Sequence, residues 1–109
     1  MMWMMVMFDL PVGTAQQRKK ATKFRNELGK EGFSMCQFSV YARFCGSREK
    51  TDGIYRTIEA IMPEEGKVDI IIFTDKQFGQ IVRIKNNKRR KKQEMPDQLL
   101  IFSDEDFPE

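Results

Sequence analysis

Histidine is absent from the 109-residue chain. That absence removes Ser-His-Asp and Cys-His nucleophilic catalysis, histidine general bases and the usual zinc sites. Any chemistry must run on carboxylates, a hard metal ion, or water held by basic groups. Cysteine is scarce, with only Cys36 and Cys45. Two thiols are too few for a metal site and read as core or surface thiols. Without a secretion signal they imply a reducing cytoplasm rather than a disulfide framework. No stretch approaches the roughly 20 apolar residues of a membrane span, so no membrane partner is expected. The apolar opening Met1 to Phe8 is short, lacks a basic flank and runs directly into Asp9 and Pro11. It therefore reads as a strand and not as a signal peptide.

What is present is a chain of one-domain size, burying about two-thirds of its unfolded surface in one small core. Charged residues make up 32% of it, with a net charge of +3. The distribution says more than the sum. Arg18 to Lys23 and Lys88 to Lys92 are strongly cationic, whereas Asp104, Glu105, Asp106 and Glu109 make an acidic end. We divide the chain into a folded domain, residues 1–87, and a basic-then-acidic tail, residues 88–109.

Trp3 to Phe8 is continuously apolar, as suits a central strand buried on both faces. Thr14 to Gln17 has capping-box spacing, and Ala21, Phe24 and Leu28 form one apolar helical stripe that Gly32 would stop. Phe33 to Phe44 is rich in β-formers but too long for one average strand, so it should bend or form a tight strand pair. Alternation puts Phe38, Val40 and Ala42 on one side and Gln37, Ser39, Tyr41 and Arg43 on the other. Ser47 can cap a second helix striped by Ile54, Ile58 and Ile61 and ended by Pro63. Val68 to Phe73 is another strand, with Ile70 and Ile72 facing one way and Ile71 and Phe73 the other. Gln80 to Lys85 can form a further short strand. The order predicts an α+β, ferredoxin-like βαββαβ sandwich with an extra C-terminal strand. Both helices would cover one sheet face, yet two strands are apolar on both. A second copy of the chain is the simplest cover, giving a symmetric homodimer. The alternative is that the tail, including Leu99 to Phe102, folds back.

Asp9 is the lone acid directly after the apolar first strand, where open sheets collect ligands. A carboxylate there can hold Mg²⁺, and a dimer would supply a second Asp9. Equally, Asp9 can accept backbone N–H groups in the turn before Pro11. Arg18, Lys19, Lys20, Lys23 and Arg25 can track a phosphate backbone, with Arg43 as an addition. The plainer meaning of such a run is a solvated helix face, but cations near a helix N-terminus oppose the dipole, which favours function. Phe38 reads as core. Tyr41 raises the question of a base-stacking surface.

Three segments carry a resemblance: MVMFDLP (Met5 to Pro11), RKKATKFRNEL (Arg18 to Leu28) and GFSMCQFSVYAR (Gly32 to Arg43), with FTDKQFG (Phe73 to Gly79) in agreement. Together they resemble the second CRISPR-associated protein family, in its type II-like version. The resemblance implies a ferredoxin-like homodimer that binds double-stranded DNA and bridges two dimers of the CRISPR integrase subunit, a heterohexamer for spacer integration. It also implies Mg²⁺-dependent endonuclease activity on RNA or DNA, with Asp9 as catalytic residue and metal ligand. Arg18 and Lys20 match the family's basic positions, and Tyr41 its aromatic after the Ser-Val pair. Where many members carry a basic residue two positions before the Gln, this chain has Met35. The competing reading is an RNA-binding or regulatory domain of the same topology, without catalysis.

Overall fold

A computed structural model describes residues 1–86 and, for the backbone alone, 88–89. Its elements are β1 (Met2–Asp9), α1 (Ala15–Lys30), β2 (Ser34–Gln37), β3 (Val40–Gly46), α2 (Arg48–Ile61), β4 (Lys67–Thr74), α3 (Asp75–Gly79), β5 (Ile84–Lys85) and β6 (Lys88–Arg89). The first six follow the expected order. Their strands join as one antiparallel sheet, β2-β3-β1-β4, the ferredoxin-like arrangement. The continuous apolar run of β1 accounts for its central place, since it has neighbours on both edges and cover on both faces.

Local chemistry sets the helix limits. The Thr14 hydroxyl accepts from Gln17 N while the Gln17 side chain accepts from Thr14 N, a reciprocal cap that starts α1. At its other end Gly32 takes a left-handed φ of 89°. Phe33 N then donates to Leu28 O and Gly32 N to Gly29 O, the paired bonds of a Schellman stop. Ser47 caps α2 by accepting from Lys50 N, and Pro63 follows its last turn. Ala21, Phe24 and Leu28 from α1 and Ile54 and Ile58 from α2 bury against Met4, Val6 and Phe8 of β1. Alternate residues of β1 therefore face the helices, and so do their cross-strand partners Ile72, Ile70 and Val68 on β4.

The opposite face carries Trp3, Met5 and Met7 of β1, Phe73, Ile71 and Asp69 of β4, and Phe44, Ala42 and Val40 of β3. Part of its cover comes from an element the sequence reading did not foresee. FTDKQFG leads into a short helix, α3, and the Phe78 ring stacks on Trp3 at 3.9 Å between centroids and 4° between planes. The Trp3 indole N–H donates to Asp75 at 2.6 Å, fixing the same corner. The rest stays partly open, with Ile71 and Phe44 exposed.

Two further expectations are corrected. The strand foreseen over Gln80 to Lys85 shrinks to β5, which pairs with β6 in a hairpin of its own and adds nothing to the main sheet. The foreseen strand pair does form, as β2 and β3, but Phe38 and Ser39 are its turn, Ser39 at φ 66°. Phe38 is consequently not core: it is 77% exposed. The rest of the basic run and Leu99 to Phe102 lie outside the described residues.

Candidate functional site

β1 ends at Asp9, whose side chain is exposed. Strand parity puts it on the sheet face away from the helices, beside its cross-strand partner Lys67. The same register adds a residue that sequence reasoning passed over. Asp69 pairs with Met7 and so lies diagonal to Asp9 on that same face, also exposed. Diagonal neighbours of an antiparallel pair sit about 7–8 Å apart. One chain thus brings two carboxylates and a lysine to one end of the open face. The signal was available, since Asp69 is the only acid in β4 and stands directly before the apolar run Ile70 to Phe73. Its face becomes known only once β4 is registered against β1.

The α1 cations divide into two groups. Lys19, Lys20 and Lys23 are exposed. Among the described residues Lys30 pairs with Glu27 at 3.5 Å, whereas Lys19, Lys20 and Lys23 have no acidic partner there, so these three ammonium groups are unneutralised. Arg18 is turned back on the loop before its own helix, where Nη1 donates to the carbonyls of Val12 at 3.0 Å and Gly13 at 3.4 Å. It braces the connection that follows Asp9 and keeps an exposed surface.

Arg25 is half-buried, with its guanidinium 4.9 Å from the Phe38 ring centroid and 5.8 Å from that of Phe8. Tyr41 is buried beneath it, 5.7 Å from Phe8 between centroids. Burial raises the Tyr41 hydroxyl above its ordinary pKa, and the Arg25 charge partly offsets this. A ring so enclosed offers no stacking surface. Tyr41 is a core residue, and the exposed aromatic of the segment is Phe38. Burial also pushes the Cys36 thiol up to about 12 and raises that of Cys45, so neither is an active thiolate near neutral pH.

Arg43 faces the helices, on the side of its β1 partner Met4. Its Nη1 donates to Glu31 O at 2.6 Å and its Nε to Phe44 O at 3.1 Å. A cation on the last carbonyls of a helix is favourable both as donor and against the dipole. Arg43→Ala is accordingly expected to cost about 1.5–3 kcal/mol of stability, the range for bonds made by a charged donor, with little change in duplex affinity. Chemical denaturation and a binding titration on the same protein check both halves.

Residues 2–81 match the family model for CRISPR associated protein Cas2. The chain belongs to the Cas2 family. A relative from Paracidovorax avenae is 49% identical over 102 residues, covering 94% of each chain. One from Flavobacterium psychrophilum is 42% identical over 93% of this chain and 88% of its own. One from Streptococcus mutans is 34% identical over 99% of this chain and 98% of its own. All three are named CRISPR-associated endoribonuclease Cas2. The match of the family model ends just after α3, so the Trp3–Phe78 corner falls within the Cas2 region. Among the described residues no helix is long and apolar enough to cross a membrane.

Proposed function

We propose that this Cas2-family chain is a cytoplasmic CRISPR adaptation protein, a Mg²⁺-dependent endonuclease that acts on RNA or DNA and also binds double-stranded DNA. The observation that carries the reading is the exposed Asp9 carboxylate at the end of β1, with Asp69 beside it on an unfilled sheet face. Their donor set fits the ion. Mg²⁺ usually takes one or two carboxylates and keeps several waters. Among the described residues there is no cluster of three or more acids or cysteines that would form a closed cage. Asp9, with Asp69 as a neighbour, would hold the metal. When bound, it would polarise a phosphodiester oxygen and lower the pKa of an attacking water.

The chain's own residues do the rest. Lys19, Lys20 and Lys23 hold the sugar-phosphate backbone, releasing its counterions, and Arg18 fixes the loop that leads away from Asp9. The partly open face with Ile71, Val40, Met5 and Met7 favours a symmetric homodimer, which would bring two Asp9 sites toward one axis. In the wider assembly that dimer would join two dimers of the integrase subunit, and strand transfer would belong to that partner.

Labelled single-stranded RNA and duplex DNA, incubated with the purified protein in Mg²⁺ and in EDTA, test the catalytic half. Cleavage that persists in EDTA sinks it. Duplex titrations across a salt series test the binding half. Changing Lys19, Lys20 and Lys23 together to alanine is expected to lower duplex affinity on the order of 30-fold and to flatten the log-log salt slope by about 3, one unit per lysine. Wild-type binding that ignores salt would remove the DNA-binding reading.

A further inference from the structure

The most exposed large hydrophobic residue among those described is Phe38, at 77%, and it does not sit loosely. It occupies the β2–β3 turn next to Ser39, whose φ of 66° is uncommon for a residue with a side chain. The turn is tied to the end of β1, since Phe8 N donates to Ser39 O at 3.1 Å. Asp9 is the next residue along. One side of the ring is backed by the Arg25 guanidinium at 4.9 Å. In that position the Arg25 Nε is buried without a hydrogen-bond partner, which is unfavourable for a charged donor. The fold therefore holds an aromatic ring out in solvent, braces it with a cation, and sets it at the end of the strand that carries Asp9. Neither core packing nor turn formation requires this, because a polar residue would serve the turn better.

From this geometry we infer that Phe38 is a stacking platform for an unpaired nucleobase, and that it positions single-stranded nucleic acid at the strand end that bears Asp9. A nucleobase is the occupant the surroundings favour. Every base presents a π-face whatever its sequence, and the backbone that follows it is anionic, matching Arg25 and the unneutralised lysines of α1. An aliphatic protein partner would gain nothing from the cation. The inference rests on the nucleic-acid reading above and deepens it. Phe38 distinguishes unpaired from paired strands, whereas the lysines hold either.

The test compares wild type, Phe38→Ala and Phe38→Tyr on three labelled probes of one sequence at one salt concentration. These are a blunt DNA duplex, the same duplex with an unpaired tail, and the single strand alone, as DNA and as RNA. Phe38→Ala is expected to weaken the tailed and single-stranded probes about tenfold, within the range for one base stacked on an aromatic, and the blunt duplex less than about twofold. Phe38→Tyr should restore the difference. Phe38→Trp adds a direct readout, because its emission should quench on adding the single strand while the buried Trp3 stays constant. Equal loss on all probes overturns the platform. So does no loss on any, or a change in sedimentation of Phe38→Ala that would assign the ring to a protein contact. If wild type bound none of the probes, the nucleic-acid reading itself would fall and the platform with it. Wild-type binding with unchanged Phe38→Ala would overturn the platform alone.

Discussion

Asp9→Asn is expected to reduce Mg²⁺-dependent cleavage at least about 1,000-fold, the effect of losing several kcal/mol of metal-borne charge stabilisation. The amide keeps the shape of the side chain but replaces an anionic oxygen with a neutral one and a donor. Asp9 is exposed at the end of β1, and among the described residues its carboxylate accepts no hydrogen bond, so the folded state should tolerate the change. Duplex binding should persist, because the α1 lysines are untouched. A rapid-quench assay of RNA and DNA cleavage, run beside a binding titration, separates the two. Wild-type cleavage by Asp9→Asn would remove Asp9 from the chemistry. Loss of binding in step with cleavage would point to misfolding, which the melting curve detects. Asp69→Asn supplies a graded comparison. As a diagonal neighbour it should lower the rate less than Asp9→Asn and raise the Mg²⁺ concentration needed for half-maximal activity.

Features encoded within one turn of chain were legible in the sequence. Thr14 and Gln17 announced α1, and Ser47 and Pro63 bounded α2. The apolar stripe named all three buried residues of α1 and, in α2, Ile54 and Ile58, but it missed the fully buried Thr51 and included Ile61, which is only partly buried. The same capping-box spacing recurs at Thr74 and Gln77, where both bonds form. It was passed over because α3 is only 5 residues long and has room for no periodicity. Features that depend on register were hidden. Between Met35 and Gln37 the pairing of β2 with β3 shifts, and Ser39 turns in the left-handed region. A simple alternation carried through that point exchanges the places of Phe38 and Tyr41, putting the exposed ring inside and the buried ring outside. The structural part Arg43 plays was hidden for a related reason. Its partner, Glu31 O, is a backbone atom 12 residues away, and no side-chain pattern reports it. The basic character of α1 was plain from composition. That Arg18 bends back while Lys19, Lys20 and Lys23 stay free was not.

Gly66→Ala is expected to cost about 3 kcal/mol and to lower the melting temperature by about 15 °C. Gly66 turns the chain into β4 at φ 94°, and a Cβ there would lie 2.7 Å from Asp9 O and 2.8 Å from Leu10 Cδ2. Two costs add. The left-handed conformation opposes any Cβ by about 1–2 kcal/mol. Overpacking against a backbone carbonyl and the buried Leu10 adds about 1–3 kcal/mol, because the backbone cannot step aside as a flexible side chain would. The relief available is to push the β1 terminus away from Lys67, and that terminus is Asp9. Catalysis should thus fall further than the folded fraction alone accounts for, with a rise in the Mg²⁺ requirement that a purely global loss would not produce. Gly29→Ala is the contrasting case. It lies within α1 with nothing within 4 Å of the added methyl, and removing glycine from a helix should stabilise the protein by about 0.5–1 kcal/mol. Thermal melts of both variants, with cleavage measured well below either transition, decide the point. A Gly66→Ala protein with wild-type activity per folded molecule would show that the close approach of Gly66 supports the strand end without setting Asp9.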